Sequence, residues 1–133
     1  MSQATSQSLI LFAHGARDPA WAAPFERLRA LTQAAMPGTS VELAFLELMQ
    51  PDLPTVAARQ IATGSRRVTV IPVFLGQGGH VRRDLPELLE QLRQAHPGVE
   101  VRTVAAVGED EAVLQAIAAY CVGTVNSFFL GGA

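Results

Sequence analysis

Short apolar runs alternate with segments of helical periodicity along most of the chain. The strand-like runs are "LILFA", "VELAFLEL", "VTVIPVFL" and "VEVRTVAAV", each rich in aliphatic or β-branched residues. The segments between them carry apolar residues every three or four positions, as one face of a helix requires. This alternation of strand and crossover helix predicts a parallel sheet with helices packed on it.

The first two helices have clear stop signals. The first is predicted over residues 20–35, with Phe25, Leu28 and Leu31 on one helical face, and ends at "MPG". The second covers "PDLPTVAARQIATG", in which Gly64 lies just past the helix end. Pro72 falls inside the third apolar run, where we expect a bulge because proline lacks a ladder donor.

The third helix is predicted to open at "DLPE", where Asp84 and Glu87 have the capping-box spacing, and the fourth to cover "GEDEAVLQAIAAYCVG". The complete pattern predicts a three-layer α/β domain with a four-stranded parallel sheet of order 2-1-3-4 and helices on both faces. We expect this single domain over residues 1–123. Residues 124–133 form a tail outside the alternation, and its Phe128, Phe129 and Leu130 are expected to dock on the domain or on another subunit.

Composition narrows the class of protein. The chain has 133 residues, a length that suggests one domain, and its net charge of −2 argues against nucleic acid as a partner. All ten basic residues are arginine, which suits carboxylate recognition but is also expected from genome composition. Cys121 is the single cysteine, and neither a signal peptide nor an apolar stretch of roughly 18 residues is present. We therefore expect a cytoplasmic protein with no membrane partner.

Three candidate ligands follow the strands. His14 follows the first strand, His80 lies in the loop after the third, and Glu47 ends the second. Ligands of open α/β sheets bind beyond the carboxyl ends of the strands, where the strand order reverses. In the order 2-1-3-4 both histidines would border one crevice, and two imidazoles with a carboxylate suit a divalent first-row metal ion.

Glycines and arginines flank these ligands. Gly15 follows the first histidine, and Gly78 and Gly79 precede the second, so backbone can approach a flat ligand there or take positive φ. Arg17 and Arg82 lie beside the same positions and suit an acidic substrate, although a surface role is the simpler interpretation.

Other interpretations of these motifs stay open. A strand-end histidine is more often a hydrogen-bonded structural residue than a ligand. The segment "GQGGHV" approaches a dinucleotide fingerprint, but Val81 replaces its last glycine. A histidine phosphatase would carry an arginine where Ala13 stands. A carrier that binds metal or tetrapyrrole without turnover would need the same ligands as an enzyme.

Three segments in order, "AHGARDP", "FLEL" and "PVFLGQGGHVRRDLP", resemble the small class II chelatases of the CbiX/SirB type. These are sirohydrochlorin cobaltochelatases and ferrochelatases, and the resemblance covers residues 9–123. It implies a lyase that inserts a divalent metal ion (Co²⁺ favoured, Fe²⁺ or Ni²⁺ as alternatives) into sirohydrochlorin, with no organic cofactor. Ala16 departs from the pattern, since many members have serine there.

The resemblance also implies roles for individual residues. His14 and His80 match the paired metal-binding histidines, and Glu47 matches the strand-end acid that binds metal or accepts protons. Larger members contain two such units in one chain, so a single unit is expected to form a homodimer around the macrocycle. We further expect Arg17 and Arg82, with Gly78 and Gly79, to contact the carboxylated substrate.

Overall fold

The computed structural model describes residues 6–76 and 78–128, and for His80 it describes the backbone alone. The described residues form one parallel sheet in the strand order 2-1-3-4. Its strands are β1 (Gln7–Ala13), β2 (Ser40–Phe45), β3 (Arg67–Pro72) and β4 (Glu100–Thr103). The predicted α/β class and strand order are therefore confirmed.

Four α-helices alternate with these strands. They are α1 (Ala23–Ala35), α2 (Leu53–Ala62), α3 (Gly79–Ala95) and α4 (Glu111–Asn126). Two 3-10 turns, Pro19–Ala22 and Val107–Glu109, precede α1 and α4. None of the helices in the described part of the chain is long and apolar enough to cross a lipid bilayer.

The larger core lies on the sheet face that α2 and α3 cover. Successive strand side chains point to opposite faces, so Ile10 and Phe12 of β1 share this face with Val68 and Val70 of β3. The helices contribute the remaining buried aliphatic residues: Leu53, Val56, Ala57, Leu85, Leu89 and Leu92. This packing fixes α3 against the central strands, and α3 therefore has a defined position beside the carboxyl end of the sheet.

The second core lies on the opposite face, over β1 and β2. Leu9, Leu11 and Ala13 of β1 face this side, and Trp21 and Phe25 pack on it from the first 3-10 turn and α1. Leu28 and Leu31, which the helical period places on one face with Phe25, are 38% and 52% exposed. A helical period identifies residues on a common flank, and here that flank does not face the core.

Side chains at the helix termini explain several element boundaries. The Asp52 carboxylate accepts a hydrogen bond from the Thr55 backbone N–H at 3.0 Å and begins α2. Gly64, with φ of +114°, follows the end of α2 as predicted. The predicted start of α3 at Asp84 is wrong: the helix begins at Gly79 and contains Pro86 in its interior.

Two further predictions concern the end of β3 and the C-terminal segment of the chain. Pro72 terminates β3 instead of interrupting a longer strand. At the other end of the chain, α4 continues to Asn126, three residues into the segment predicted as a tail. Phe128 is 76% exposed, so it does not dock on its own domain, whereas Phe129 and Leu130 lie outside the described residues.

Candidate functional site at the carboxyl end of the sheet

His14 lies at the carboxyl end of the central strand β1, where it is half-buried. Its ring lies against the ring of Phe74, with centroids 4.2 Å apart and planes inclined by 37°. Phe74 is buried and follows β3, the neighbour of β1 in the sheet. The parallel pairing of two central strands therefore places the imidazole on an aromatic surface at the strand-order reversal.

The loop after β2 joins this position through the backbone. The N–H of Glu47 donates to the carbonyl oxygen of His14 at 3.0 Å. Gly15 has φ of +94°, and a Cβ atom there would overlap the carbonyl oxygen of Glu47. Only glycine meets both conditions without strain, so the residue after His14 is what permits the close approach of Glu47.

The loop after β4 is tied to the same region. The N–H of Gly108 donates to the carbonyl oxygen of Phe74 at 2.9 Å, and a Cβ atom on Gly108 would overlap the backbone of Leu75. The loops that follow all four strands are thus connected through His14, Glu47 and Phe74. Such a connected edge can hold side chains in fixed positions around a ligand.

Glu47 is exposed and borders an open cleft of about 390 Å³ between the β2 loop and α3. Asp84 and Glu87 of α3 bring two further carboxyl groups to it, and Leu46, Leu88 and Gln91 complete its lining. His80 occupies the position one helical turn before Asp84, in the first turn of α3. The structure therefore brings Glu47 next to both His14 and the helix that carries His80.

The predicted arginines lie apart from this cleft. Arg17 is exposed in the loop after β1. Arg82 lines a separate groove with Arg93 and Thr103, between α3 and the edge strand β4. The structure therefore does not gather the arginines around Glu47, and any contact they make with a large substrate would be at its periphery.

Gly78 and Gly79 mark the start of α3 and do not need glycine's conformational freedom. Gly78 has φ of −74°, and a Cβ atom on either residue would have no neighbour within 4 Å. The expectation of positive φ holds for Gly15 and is wrong for this second pair. What these two glycines leave is open space at the first turn of α3.

Within the described residues, no group of three or more His, Cys, Asp or Glu side chains is arranged to hold a metal ion. That search does not include the imidazole of His80, for which only the backbone is described. Of the two predicted imidazole ligands, only His14 therefore has a described side chain. It lies beside the ring of Phe74, Gly15 and the loop that carries Glu47.

Two parts of the site were absent from the sequence-based prediction. The sequence pattern predicts that Phe74 lies within the third strand, "VTVIPVFL", yet Phe74 follows β3 and its ring contacts that of His14. Asp84 and Glu87 were assigned to a helix cap, yet both line the cleft beside Glu47. The contact between Phe74 and His14 could have been predicted from the strand order, because a residue just past β3 must lie beside one just past β1 in a parallel sheet.

Comparison with known proteins identifies the family. The CbiX family model matches residues 8–121. The chain belongs to the CbiX family. The crystal structure of a CbiX protein from Marinobacter aquaeolei VT8 superposes with a TM-score of 0.81 and 32% identity, over 90% of this chain and 98% of that one.

Two further proteins to which this chain is similar are longer than the part that it matches. A sirohydrochlorin cobaltochelatase from Methanocaldococcus jannaschii is 31% identical over 68% of this chain and 63% of that protein. The sirohydrochlorin chelatase SirB from Bacillus subtilis subspecies spizizenii, solved with cobalt, shares the fold with a TM-score of 0.75 and 23% identity, over 85% of this chain and 48% of SirB. The chain thus spans about 60% of the cobaltochelatase and half of SirB.

Proposed function

We propose that this CbiX-family protein is a chelatase that inserts a divalent metal ion into sirohydrochlorin. The observation that supports this most directly is the His14 ring on Phe74, with Glu47 hydrogen-bonded to its backbone beside an open cleft. Relatives named sirohydrochlorin cobaltochelatase and sirohydrochlorin ferrochelatase agree with it. Co²⁺ is the favoured metal substrate because cobaltochelatases predominate among these relatives, and Fe²⁺ and Ni²⁺ are the alternatives.

The chemistry requires a ligand that binds the metal ion and then releases it. A neutral imidazole can hold a partly hydrated ion without enclosing it, whereas a tetrahedral thiolate site would retain it. We assign this role to His14 and His80. Acid weakens the binding, because a protonated imidazole cannot coordinate a metal ion.

Insertion also releases two pyrrole N–H protons, which need an acceptor. We assign this role to Glu47, because its backbone N–H is bonded to His14 and the residue borders the cleft. Asp84 and Glu87 line the same cleft and offer a route by which protons reach solvent. Neither step involves an organic cofactor.

Sirohydrochlorin carries eight carboxylates, which suit the guanidinium groups at the periphery of the site. Arg17 and Arg82 are both exposed and follow different strands, β1 and β3, so we assign them to different carboxylates of the macrocycle. Gly78 and Gly79 leave room for a flat ligand at the start of α3. A macrocycle of this size would extend beyond one domain, and we propose that a second copy of the chain completes its enclosure.

The test is an insertion assay with purified protein, followed by the change in the sirohydrochlorin absorption spectrum with Co²⁺, Fe²⁺ and Ni²⁺ in turn. We expect catalysed insertion above the spontaneous rate, and loss of most of that rate in His14→Ala and in His80→Ala. His96→Ala is the matched control, because His96 ends α3 at the opposite end of the helix from the site. Its rate should equal that of the wild type.

Two outcomes would contradict this proposal. Equal rates in the wild type and both site variants would refute the roles of His14 and His80. Binding of one equivalent of metal or tetrapyrrole without turnover would identify the protein as a carrier, the alternative that sequence reasoning leaves open.

A further inference from the structure

Exposed aliphatic side chains gather at the carboxyl end of the sheet. Outside α1 and α4, the exposed large apolar residues of 6–76 and 78–128 are Met36, Leu48, Leu75 and Val104. Three of these four follow a strand within three residues: Leu48 comes after β2, Leu75 after β3 and Val104 after β4. Their exposed fractions are 59%, 66% and 51%, and we name these three residues the carboxyl-edge rim. Exposed apolar side chains that share one end of a domain, instead of being scattered singly, indicate a binding surface.

The strand order places His14 inside this rim. Strand β1, which ends just before His14, lies between β2 and β3 in the order 2-1-3-4. Leu48 therefore follows the neighbour of β1 on one side and Leu75 follows the neighbour on the other, whereas Val104 lies one strand further out. Neighbouring strands are about 4.8 Å apart, so the rim spans about 14 Å from β2 to β4. A surface of this width suits a flat ring system with apolar faces.

The backbone at Leu75 is fixed by the loop after β4. The N–H of Gly108 donates to the carbonyl oxygen of Phe74 at 2.9 Å, and a Cβ atom on Gly108 would overlap the backbone of Leu75. Phe74, the preceding residue, carries the ring that contacts His14. The side chain of Leu75 thus has a fixed attachment one residue from the support of the imidazole, and core packing does not account for it.

The backbone at Leu48 is held in a conformation that leucine rarely adopts. Its φ is +66°, in the left-handed region where the Cβ atom approaches the following carbonyl oxygen. Hydrogen bonds on both sides of Leu48 hold this turn: the N–H of Glu47 donates to the carbonyl oxygen of His14 at 3.0 Å, and the N–H of Phe45 donates to that of Pro51 at 2.9 Å. Glycine or asparagine would relieve the strain, so an exposed leucine here contributes something other than stability.

We propose that the carboxyl-edge rim binds one apolar face of the tetrapyrrole, so that the centre of the macrocycle lies over His14. This inference rests on the proposed chelatase function and names the residues that orient its substrate. The two leucines on opposite sides of β1 would support opposite parts of the ring, and the pyrrole nitrogens would face the imidazole between them. The carboxylates would extend beyond the rim, where Arg17 and Arg82 are exposed. An apolar surface with a few polar groups at its border is the usual form of a small-molecule site.

The first test is the binding of metal-free sirohydrochlorin, measured by quenching of the fluorescence of Trp21. Trp21 is the only tryptophan of the chain, and its ring centroid lies 6.5 Å from that of Phe45 at the end of β2. We expect Leu48→Asn and Leu75→Gln each to raise the dissociation constant about five-fold or more, because each removes apolar contact area. Val104→Thr keeps the shape of the side chain and should raise the dissociation constant about two-fold.

The affinity for Co²⁺ alone separates the rim from the metal ligands. None of the three rim side chains carries a ligand atom, so their substitution should change this affinity by less than about two-fold. In the insertion assay the same variants should raise the KM for sirohydrochlorin and leave the KM for Co²⁺ unchanged. An equal loss of affinity for both substrates would show that the rim residues act only through the structure of the site, and would overturn the proposal.

The control variant is Met36→Gln. Met36 is 40% exposed and ends α1 at the amino end of the sheet, so this substitution should leave the dissociation constant for sirohydrochlorin unchanged. Urea unfolding separates binding from packing. Leu48→Asn should unfold at the same or a higher urea concentration than the wild type, because asparagine tolerates positive φ. Weaker binding by a variant that is no less stable cannot come from a damaged fold.

Salt separates the rim from the arginines. About 1 M NaCl screens the attraction between guanidinium and carboxylate groups but leaves apolar contacts in place. The weaker binding of Leu75→Gln relative to the wild type should therefore persist in salt, whereas any effect of Arg17→Gln should diminish. A difference between Leu75→Gln and the wild type that disappears in salt would show that the leucine acts through the placement of charges, and would contradict an apolar platform.

The remaining outcomes distinguish this inference from the proposed function. Unchanged sirohydrochlorin affinity in Leu48→Asn and Leu75→Gln, with binding by the wild type, would overturn the rim and leave the chelatase proposal intact. A lower molar mass of these variants in light scattering would show that a second copy, and not the macrocycle, occupies the rim. Absence of sirohydrochlorin binding by the wild type would refute both proposals, whereas the expected loss of affinity without metal insertion would refute only the chelatase activity.

Discussion

The imidazole of His14 and the ring of Phe74 are in contact, with centroids 4.2 Å apart. The ring of Phe74 also lies near the ring of Phe12 of β1, at a centroid distance of 6.0 Å, and the carbonyl oxygen of Phe74 accepts a hydrogen bond from the N–H of Gly108. Phe74 is therefore fixed by packing and by backbone contacts before any ligand binds. A ring fixed in this way limits rotation of His14 and presents its nitrogen atoms in a defined direction.

We predict that Phe74→Leu impairs metal use more than it impairs the fold. Loss of the ring should free the imidazole, raise the KM for the metal ion at least five-fold and lower kcat several-fold. The free energy of unfolding should fall by about 1–2 kcal/mol, because a buried aromatic ring is replaced by a smaller side chain. Steady-state insertion kinetics at varied metal concentration, with urea unfolding, give both quantities.

Phe12→Leu is the matched control for that experiment. Phe12 is fully buried and contacts Phe74, so its truncation costs similar core packing. We expect a comparable loss of stability with little change in the KM for metal. An equal rise of this KM in both variants would show that Phe74 acts only through core packing and not through His14.

Gly15→Ala should disrupt the site because the substitution adds one methyl group where there is no space for it. The new Cβ would meet the carbonyl oxygen of Glu47 and would also strain a residue at φ of +94°. Gly64→Ala is the matched control, because Gly64 has φ of +114° and no neighbour within 4 Å of a Cβ atom. The φ strain common to both variants costs about 1–2 kcal/mol.

The difference between these two variants therefore isolates the contact between the loops after β1 and β2. We expect Gly15→Ala to unfold at lower urea concentration than Gly64→Ala and to lose at least ten-fold in insertion rate, while Gly64→Ala keeps the wild-type rate. Equal stabilities and equal rates would mean that Glu47 moves aside without consequence.

The positions of the candidate ligands His14 and Glu47 could be predicted from the sequence because they depend on topology. Once the alternation of strands and helices gives the order 2-1-3-4, the loops that follow β1 and β2 must meet at one edge, and His14 and Glu47 of these loops do. The role of Phe74 beside His14 could not be predicted from the local sequence. An apolar residue just past a strand has the same sequence pattern as one inside it.

The sequence could not predict which helix faces pack on the sheet. Periodicity shows which residues share one face of a helix, but it does not show which surface that face contacts. Leu28 and Leu31 recur as core residues do, yet Arg29 and Gln33 of the same helix bind the edge of β2 and turn the leucines away. Helix α4 raises the same difficulty. Its uniformly apolar sequence predicts burial, but the partner that provides it need not belong to the same chain.

Glu47→Gln should slow the transfer of pyrrole protons while leaving metal binding largely intact. An amide keeps the size and the backbone hydrogen bond to His14 but cannot accept a proton at neutral pH. Removal of a general base typically costs 10²–10⁴-fold in rate, so we expect kcat to fall by about 100-fold or more. The affinity for Co²⁺ without tetrapyrrole should change by less than about three-fold.

The control for this substitution is Glu90→Gln. Glu90 is exposed on α3 and pairs with Arg93 at 3.6 Å, away from the cleft. Its kcat should match the wild type. If Glu47→Gln instead weakened Co²⁺ binding as much as it lowered kcat, Glu47 would be a metal ligand and not the proton acceptor.

Asp52 makes the start of α2 sensitive to acid. Its carboxylate accepts hydrogen bonds from the side chain and the backbone of Thr55, and these bonds hold the pKa of Asp52 below its ordinary value of 3.8. A lowered pKa means that the folded state favours the ionised form. This contribution to stability is fully present above pH 3.8 and is lost as the pH falls through the folded-state value.

Asp52→Ala should therefore lower the free energy of unfolding by about 1 kcal/mol at pH 7, the usual cost of removing an N-cap. The difference between the wild type and this variant should shrink when urea unfolding is repeated below pH 3.8. Asp52→Asn is the matched control, because its amide oxygen accepts the Thr55 N–H at any pH and its advantage over Asp52→Ala should stay constant. An advantage of the wild type that is the same at pH 7 and pH 3 would show that the charge of Asp52 does not stabilise α2.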